Sequence, residues 1–335
     1  MRMMWDDPSR PMRGADLTFG RATAPFRAGT SSSSAVVVLS FLVMHICNRE
    51  RFGAMKVQEV CRLLGEAEWY VGTHGGANDQ TTILRNPVNS VLYNRHSRPE
   101  IDSTPLPFLQ GVQVVLANSL WEVNKTLEGN QSFNMRKGWM QMGDEILRLI
   151  IARVRSAQAE GRASGEGWLA DLVREKFTFE PGSSLPLLES HPEYWERIES
   201  RYDRFGSLDE GILGIPDDAI NELVMILPVK FTPEEAGAVL GKDPQTVERV
   251  YTSPRRSIGG YHLRTTARFF HRENVIGRTL ERIFLEAQER VSSGELSAAS
   301  DEYDAYRLKV GELVDELQDA LSFDFRVSNP QLDLL

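Results

Sequence analysis

GTSSSSAVVVLSFLVMHIC, residues 29–47, sets four serines directly ahead of an almost unbroken apolar run from 35 to 47. The run is too short for a membrane span, which needs about 20 apolar residues. It also lies too far from Met1, behind a lead rich in Gly, Ser and Pro, for a secretory signal. What remains is a helix through about residue 48, with the serines at its N-cap and first turn. Being apolar nearly all round, that helix is expected to be buried. A helix start carries N–H groups without intrahelical partners and the positive end of the macrodipole, so small hydroxyl residues there allow phosphate oxygens to approach closely. Gly-Thr-Ser-Ser is equally a plain capping sequence, and a second element has to decide between the two readings.

The composition sets the surroundings. A chain of 335 residues, 41% apolar and 25% charged, suits a globular protein of about two domains with a sizeable core. The net charge of −9 argues against a broad phosphate-neutralising surface, so nucleic acid is not an expected partner and an anionic ligand must meet a local site. With no span or signal, neither membrane attachment nor export is expected, and the reading is cytoplasmic. Cys47 and Cys61 lie in apolar or helical stretches without metal-ligand spacing and are read as reduced core residues.

Along the chain, 15–26 has the partial alternation of a strand. The stretch 55–72 has apolar residues at 57, 60, 61, 64 and 67, a helical spacing. THGGANDQ (73–80) then breaks the pattern with paired glycines. NSVLYNR (89–95) and VQVVLANS (112–119) read as strands, and from 133 onward the chain is mainly helical. SAQAEGRASGEG (156–167) is a solvated turn, and long amphipathic helices fill about 260–290 and 299–321. TPEEAGAVLGKDPQTVERVY (232–251) gives two short helices joined at Gly241. That pattern fits a helix-turn-helix or a helical insertion, and its acidic first helix and few basic residues favour the insertion.

The second element is EWYVGTHGGANDQ (68–80), where two glycines bring backbone close to a ligand and an Asp lies three residues beyond the second. With it, the chain resembles the galactokinase branch of the GHMP small-molecule kinases. GTSSSSA (29–35) is similar to the family's G-L-S-S-S-A-A phosphate motif, and GTHGGANDQ (72–80) to its G-V-x-C-G-I-M-D-Q loop. VVLANS, FNMRK (133–137), YHLRTTARFFHREN (261–274) and FDFRVSNPQLDLL (323–335) follow in family order, so the resemblance covers nearly the whole chain.

The resemblance implies an α+β, two-lobe GHMP fold, incomplete at both termini, with an N-terminal lobe over 1–128 and a mainly helical C-terminal lobe over 129–335. It implies ATP and Mg²⁺, with Gly29, Thr30, Ser31, Ser32, Ser33 and Ser34 binding phosphate. Asp79 matches the catalytic aspartate facing the attacking sugar hydroxyl. His74, Gly75, Gly76, Asp79 and Phe133 fall at sugar-contacting positions, and Ser32 and Glu68 at metal-binding ones. A loop Asp capping local backbone, an ordinary loop His and a solvated Glu are the plain alternatives for Asp79, His74 and Glu68.

The departures also count. Val37 stands where the family has a Glu after its serines, and Phe133 replaces a sugar-contacting Tyr. No counterpart of the family's first motif, which supplies sugar contacts and an Arg, is found in 1–14, and its Gly-rich loop after PQLDLL is not found either. The expectation is a truncated product, a fragment or a degenerate paralogue. Two functions stay open: an ATP-dependent kinase forming a sugar 1-phosphate, or a non-catalytic sugar or nucleotide sensor. The particular sugar and the oligomeric state are left open.

Overall fold

The computed structural model describes residues 11–16, 18, 20, 31–52, 55–71, 75–95, 102–115, 129–177, 179–251 and 260–328. The chain divides into two compact units, Met1–Arg95 with Glu100–Phe133, and His96–Pro99 with Asn134–Leu335.

The first unit contains α1 (Ser32–Cys47), α2 (Val57–Ala67), a 3-10 turn (Glu68–Val71), α3 (Asn78–Arg85) and an antiparallel pair, β1 (Ser90–Arg95) and β2 (Asp102–Pro107). α2 forms because Val60, Cys61 and Leu64 share one face, while Arg62 and Glu66, four residues apart, pair at 2.6 Å on the exposed one. Its apolar face meets α1 in a small core of Val38, Phe41, Val60 and Leu64. α1 is therefore buried on one side only. Ser34, Val38 and Phe41 face inward, whereas Leu39 and Ile46 are 51% and 60% exposed. This corrects the expectation of a fully buried helix: among the described residues α1 packs against α2 and α3, which cover a single face.

β1 and β2 run in register from Ser90↔Pro107 to Arg95↔Asp102, with Pro105 and Pro107 confining β2 to an edge. The hairpin is tied to α3 by Asn94 Nδ2 donating to Asn78 Oδ1 at 2.7 Å and Arg85 Nη1 to Ser103 Oγ at 3.1 Å. Thus the strand expected at 89–95 forms. Residues 112–115 are not in a strand, and the rest of that expected strand lies outside the described residues. Of the one expected over 15–26, only 15, 16, 18 and 20 are described, and none is in a strand.

The second unit is helical: α4 (Gly129–Ala159), α5 (Trp168–Phe177), α6 (Pro192–Arg201), α7 (Asp217–Ile226), α8 (Pro233–Leu240), α9 (Pro244–Tyr251), α10 (Leu263–Ser292) and α11 (Asp301–Asp319), which ends in a π turn, Ala320–Asp324. Its large core gathers Trp139, Met142, Ile146 and Ile150 from α4, Trp195 and Ile198 from α6, and Ile220 and Leu223 from α7. The Phe205 ring lies directly against Gly143 and leaves no room for a Cβ, so α4 needs glycine at that point. Buried Asp144 accepts hydrogen bonds from Tyr202 Oη at 2.9 Å and the Phe205 N–H at 2.7 Å. Loss of water outweighs these bonds and pushes its carboxyl up to about 7.

The 232–251 pair forms with Gly241 at φ 64°, closing α8. Val247 and Tyr251 of α9 are buried in the unit's core, and Lys242 Nζ donates to Glu145 Oε1 at 3.0 Å. The apolar face of α9 is thus spent on the core of its own unit.

The described residues are mostly helical with one two-stranded sheet, compatible with an α+β fold. None of their helices is long and apolar enough to cross a membrane. Both cysteines are free thiols. Cys61 is buried, which pushes its thiol up, and Cys47 is half-buried.

Candidate functional site

Ser34 is the third residue of α1, on the face that buries Val38 and Phe41 at positions i+4 and i+7. Its side chain is therefore carried inward, toward α2 and α3. There its Oγ donates to Glu68 Oε1 at 2.8 Å, lies 3.3 Å from Asp79 Oδ2, and accepts from Gln80 Nε2 at 3.2 Å. Glu68 opens the turn after α2, and Asp79 sits in the first turn of α3, where a negative charge complements the helix dipole. Three separate segments thus meet at one hydroxyl.

A serine hydroxyl has a single hydrogen to give. The shorter contact assigns it to Glu68, leaving the Asp79 carboxylate facing the same oxygen without that proton. Among the described residues neither Glu68 nor Asp79 has a cationic partner. Asp79 is exposed and Glu68 half-buried, while Ser34 and Gln80 are buried, so a solute meets the cluster at its carboxylates.

The serine that meets Glu68 is Ser34. Ser32, expected from the sequence to share a metal with Glu68, precedes it by two residues, which turns its side chain by about 200° around the helix. Ser31 begins α1 in the left-handed region, φ 54° and ψ 32°, and makes no side-chain cap bond; Ser33 is exposed. Val37 packs against the apolar cluster of Val38 and Leu64. The Gly75 carbonyl accepts from Trp69 Nε1 at 3.2 Å, and Gly76 is exposed with open space where a side chain would project. Gly29, Thr30 and His74 lie outside the described residues, as does the side chain of Phe133.

Three participants were missed in the sequence. Gln80 belongs to the quoted loop motif, and its place beside an acidic residue at a helix start was the available signal. Gly65 has no local signal: an added Cβ would lie 3.0 Å from Ala77 Cα and 3.1 Å from the Gly76 carbonyl oxygen, a contact that appears only on folding. Trp69 gave a sign in being a large aromatic next to Glu68.

Among the described residues no three His, Cys, Asp or Glu side chains form a metal-binding group. The cluster offers two carboxylates and a hydroxyl, an all-oxygen set suited to a hard cation such as Mg²⁺.

No family model matches the chain. It is similar to the galactokinase of Saccharomyces cerevisiae, 27% identical over 169 residues, which cover 49% of this chain and 32% of that protein. It is also similar to the galactokinase of Dictyostelium discoideum, 32% identical over 145 residues, which cover 41% of this chain and 28% of that one. The matches span about a third of the length of these curated relatives, and they make the chain galactokinase-like over about half of its own.

Proposed function

We propose that the chain is a GHMP-type sugar kinase of the galactokinase kind, with an N-terminal lobe over 1–128 and a C-terminal lobe over 129–335, which moves the γ-phosphate of ATP to a sugar hydroxyl and yields a sugar 1-phosphate. The observation that carries this reading is the meeting of Ser34, Glu68 and Asp79. The similarity to two galactokinases supports it.

Phosphoryl transfer depends chiefly on positioning and charge stabilisation, and the chain's groups suit those tasks. Asp79, exposed at the start of α3, orients the attacking hydroxyl and takes its proton. Gly29 to Ser34 receive phosphate oxygens at the start of α1, where a left-handed Ser31 followed by right-handed helix gathers successive N–H groups into a concave, anion-accepting surface. Ser34 and Glu68 hold the metal, a role the sequence resemblance had given to Ser32 and Glu68. Mg²⁺, when bound, supplies charge neutralisation to the phosphates. His74, Gly75, Gly76 and Phe133 contact the sugar. The protein works in the cytoplasm on soluble substrates, without nucleic acid or membrane.

The test is an ADP-release assay with Mg-ATP and a panel of aldoses, run on the wild type and Asp79→Asn. The substitution keeps the side-chain shape and removes the base, so turnover is expected to fall about 10²-fold or more while nucleotide affinity holds. Equal activity in both proteins rejects Asp79 as the catalytic residue. Sugar binding without turnover in the wild type favours a sensor.

A further inference from the structure

The turn Glu68–Val71 carries two consecutive side chains that leave it about 120° apart and grip different segments. Glu68 accepts the Ser34 hydroxyl at 2.8 Å, and Trp69 donates its indole N–H to the Gly75 carbonyl at 3.2 Å. One turn earlier, Gly65 lets α2 touch Ala77, the residue that caps α3. Gly75 and Ala77 therefore lie against the end of α2 and the turn after it, just ahead of Asp79.

Trp69 is 43% exposed, so its ring is not spent on filling a core. Its polar end nevertheless has a definite acceptor. Were the indole there for packing alone, burial would be expected; were it a free surface residue, a hydrogen bond across six positions to a glycine carbonyl would have no purpose. The bond ties Trp69 to Gly75, both of which lie in sequence between Glu68 and Asp79, the two carboxylates that face Ser34.

We propose that Trp69 is a positioning residue: by holding the Gly75 carbonyl, its indole N–H sets the entry of the chain into α3 and so keeps Asp79 across Ser34 from Glu68. The geometric part stands without the sugar-kinase reading, and only the consequence for turnover rests on that reading.

Hydrogen–deuterium exchange of the segment 75–85 tests it in three full-length proteins. Trp69→Phe keeps a ring and removes the donor, and exchange there is expected to be about threefold to tenfold faster, the factor that a single net hydrogen bond represents. Trp69→Gln restores an N–H donor at comparable reach and is expected to recover the protection. Unchanged exchange in Trp69→Phe overturns the proposal. So does a loss that Trp69→Gln fails to recover, which would trace the effect to ring packing. Where turnover is measurable, kcat falls in Trp69→Phe and recovers in Trp69→Gln with KM for ATP unchanged; a change confined to KM for ATP also overturns it. A wild type that phosphorylates no aldose sinks the kinase reading, and the exchange result still decides the role of Trp69.

Discussion

Asp324, in the second unit, is buried in a π turn with Arg268 Nε at 2.9 Å and Arg272 Nη1 at 3.1 Å from its carboxylate. Asp79, in the first, stands exposed opposite Ser34 Oγ at 3.3 Å, with no cation beside it among the described residues. The pattern extends beyond this pair. Asp217 is met by Arg278 at 2.7 Å, and Asp144 by Tyr202 and a backbone N–H, whereas Glu68 and Asp79 share the attention of one hydroxyl. Asp324, Asp217 and Asp144 are supplied with donors, because a buried carboxylate left unanswered costs several kcal/mol. The first unit keeps a point where two carboxylates face one hydroxyl, and such exceptions to local consistency collect at functional sites.

The sharpest way to break that contrast is to compare the two cores. Trp195 is fully buried, with its Nε1 donating to the Leu188 carbonyl at 3.0 Å, inside a large cluster that cannot collapse around a hole. Trp195→Ala is expected to cost about 3–5 kcal/mol, and Leu64→Ala, in the small cluster of the first unit, nearer 2 kcal/mol. Asp79→Asn is expected to stay within about 0.5 kcal/mol of wild type, since the side chain is exposed, has no ion-pair partner among the described residues, and asparagine keeps an oxygen at the helix start. Urea denaturation measures all three. A Leu64 cost equal to that of Trp195, or a destabilised Asp79→Asn, removes the distinction between a unit built for stability and a cluster left free for the chemistry proposed above.

Asp144 tests the same idea through pH. Its carboxyl titrates at about 7 in the folded chain, above the ordinary carboxylate value, so between about pH 4 and 7 the folded state holds a proton that the unfolded state has released. Stability is therefore expected to fall as pH rises through this window, by roughly 1–3 kcal/mol between pH 5 and 7, and to level off above it. Asp144→Asn keeps an oxygen for Tyr202 and Phe205 and removes the charge. Loss of water pushes the Glu273 carboxyl up to about 7 as well, so urea midpoints from pH 5 to 8 in the variant should lose the share of the slope that belongs to Asp144, and a slope retained in full would assign it to Glu273.

A comparable free energy is expected to appear as ligand affinity in the first unit. Replacing Ser32 and Ser33 together by Ala should weaken nucleotide binding by roughly 1–3 kcal/mol in titration calorimetry while leaving the urea midpoint in place. Unchanged binding removes these hydroxyls from the phosphate site.

Much of this was legible in the sequence, and the exceptions share a cause. α2 and the strand at 90–95 followed from periodicity and turn residues. Ser34, Glu68 and Asp79 all lay in stretches singled out for phosphate and acid chemistry. The phase of α1 could not be read, because a helix apolar nearly all round gives no stripe to orient it. Ser34 therefore could not be told from Ser32 as the neighbour of Glu68. Only packing of Val38 and Phe41 against α2 sets that phase. Gly65 against Ala77, and Asp144 beneath Tyr202 and Phe205, join positions 12 and about 60 residues apart, and no local pattern announces such contacts.

The smallest effect expected separates two helix starts that each have a hydroxyl residue at the N-cap. Thr232 caps α8, its Oγ1 accepting the Glu235 N–H at 3.2 Å while Glu235 Oε2 accepts the Thr232 N–H at 2.8 Å, a complete capping box. Ser31 opens α1 in a left-handed conformation and makes no such bond. Thr232→Ala is thus expected to cost about 1 kcal/mol in urea denaturation. Ser31→Ala should cost a few tenths at most, because no cap bond is lost and alanine is strained at φ 54° much as serine is. If the two substitutions destabilise equally, Ser31 serves the helix as Thr232 does, and the start of α1 is a cap. If Ser31→Ala spares stability, the hydroxyls ahead of α1 are free of capping duty, and their small size and donors remain to be explained by what they receive.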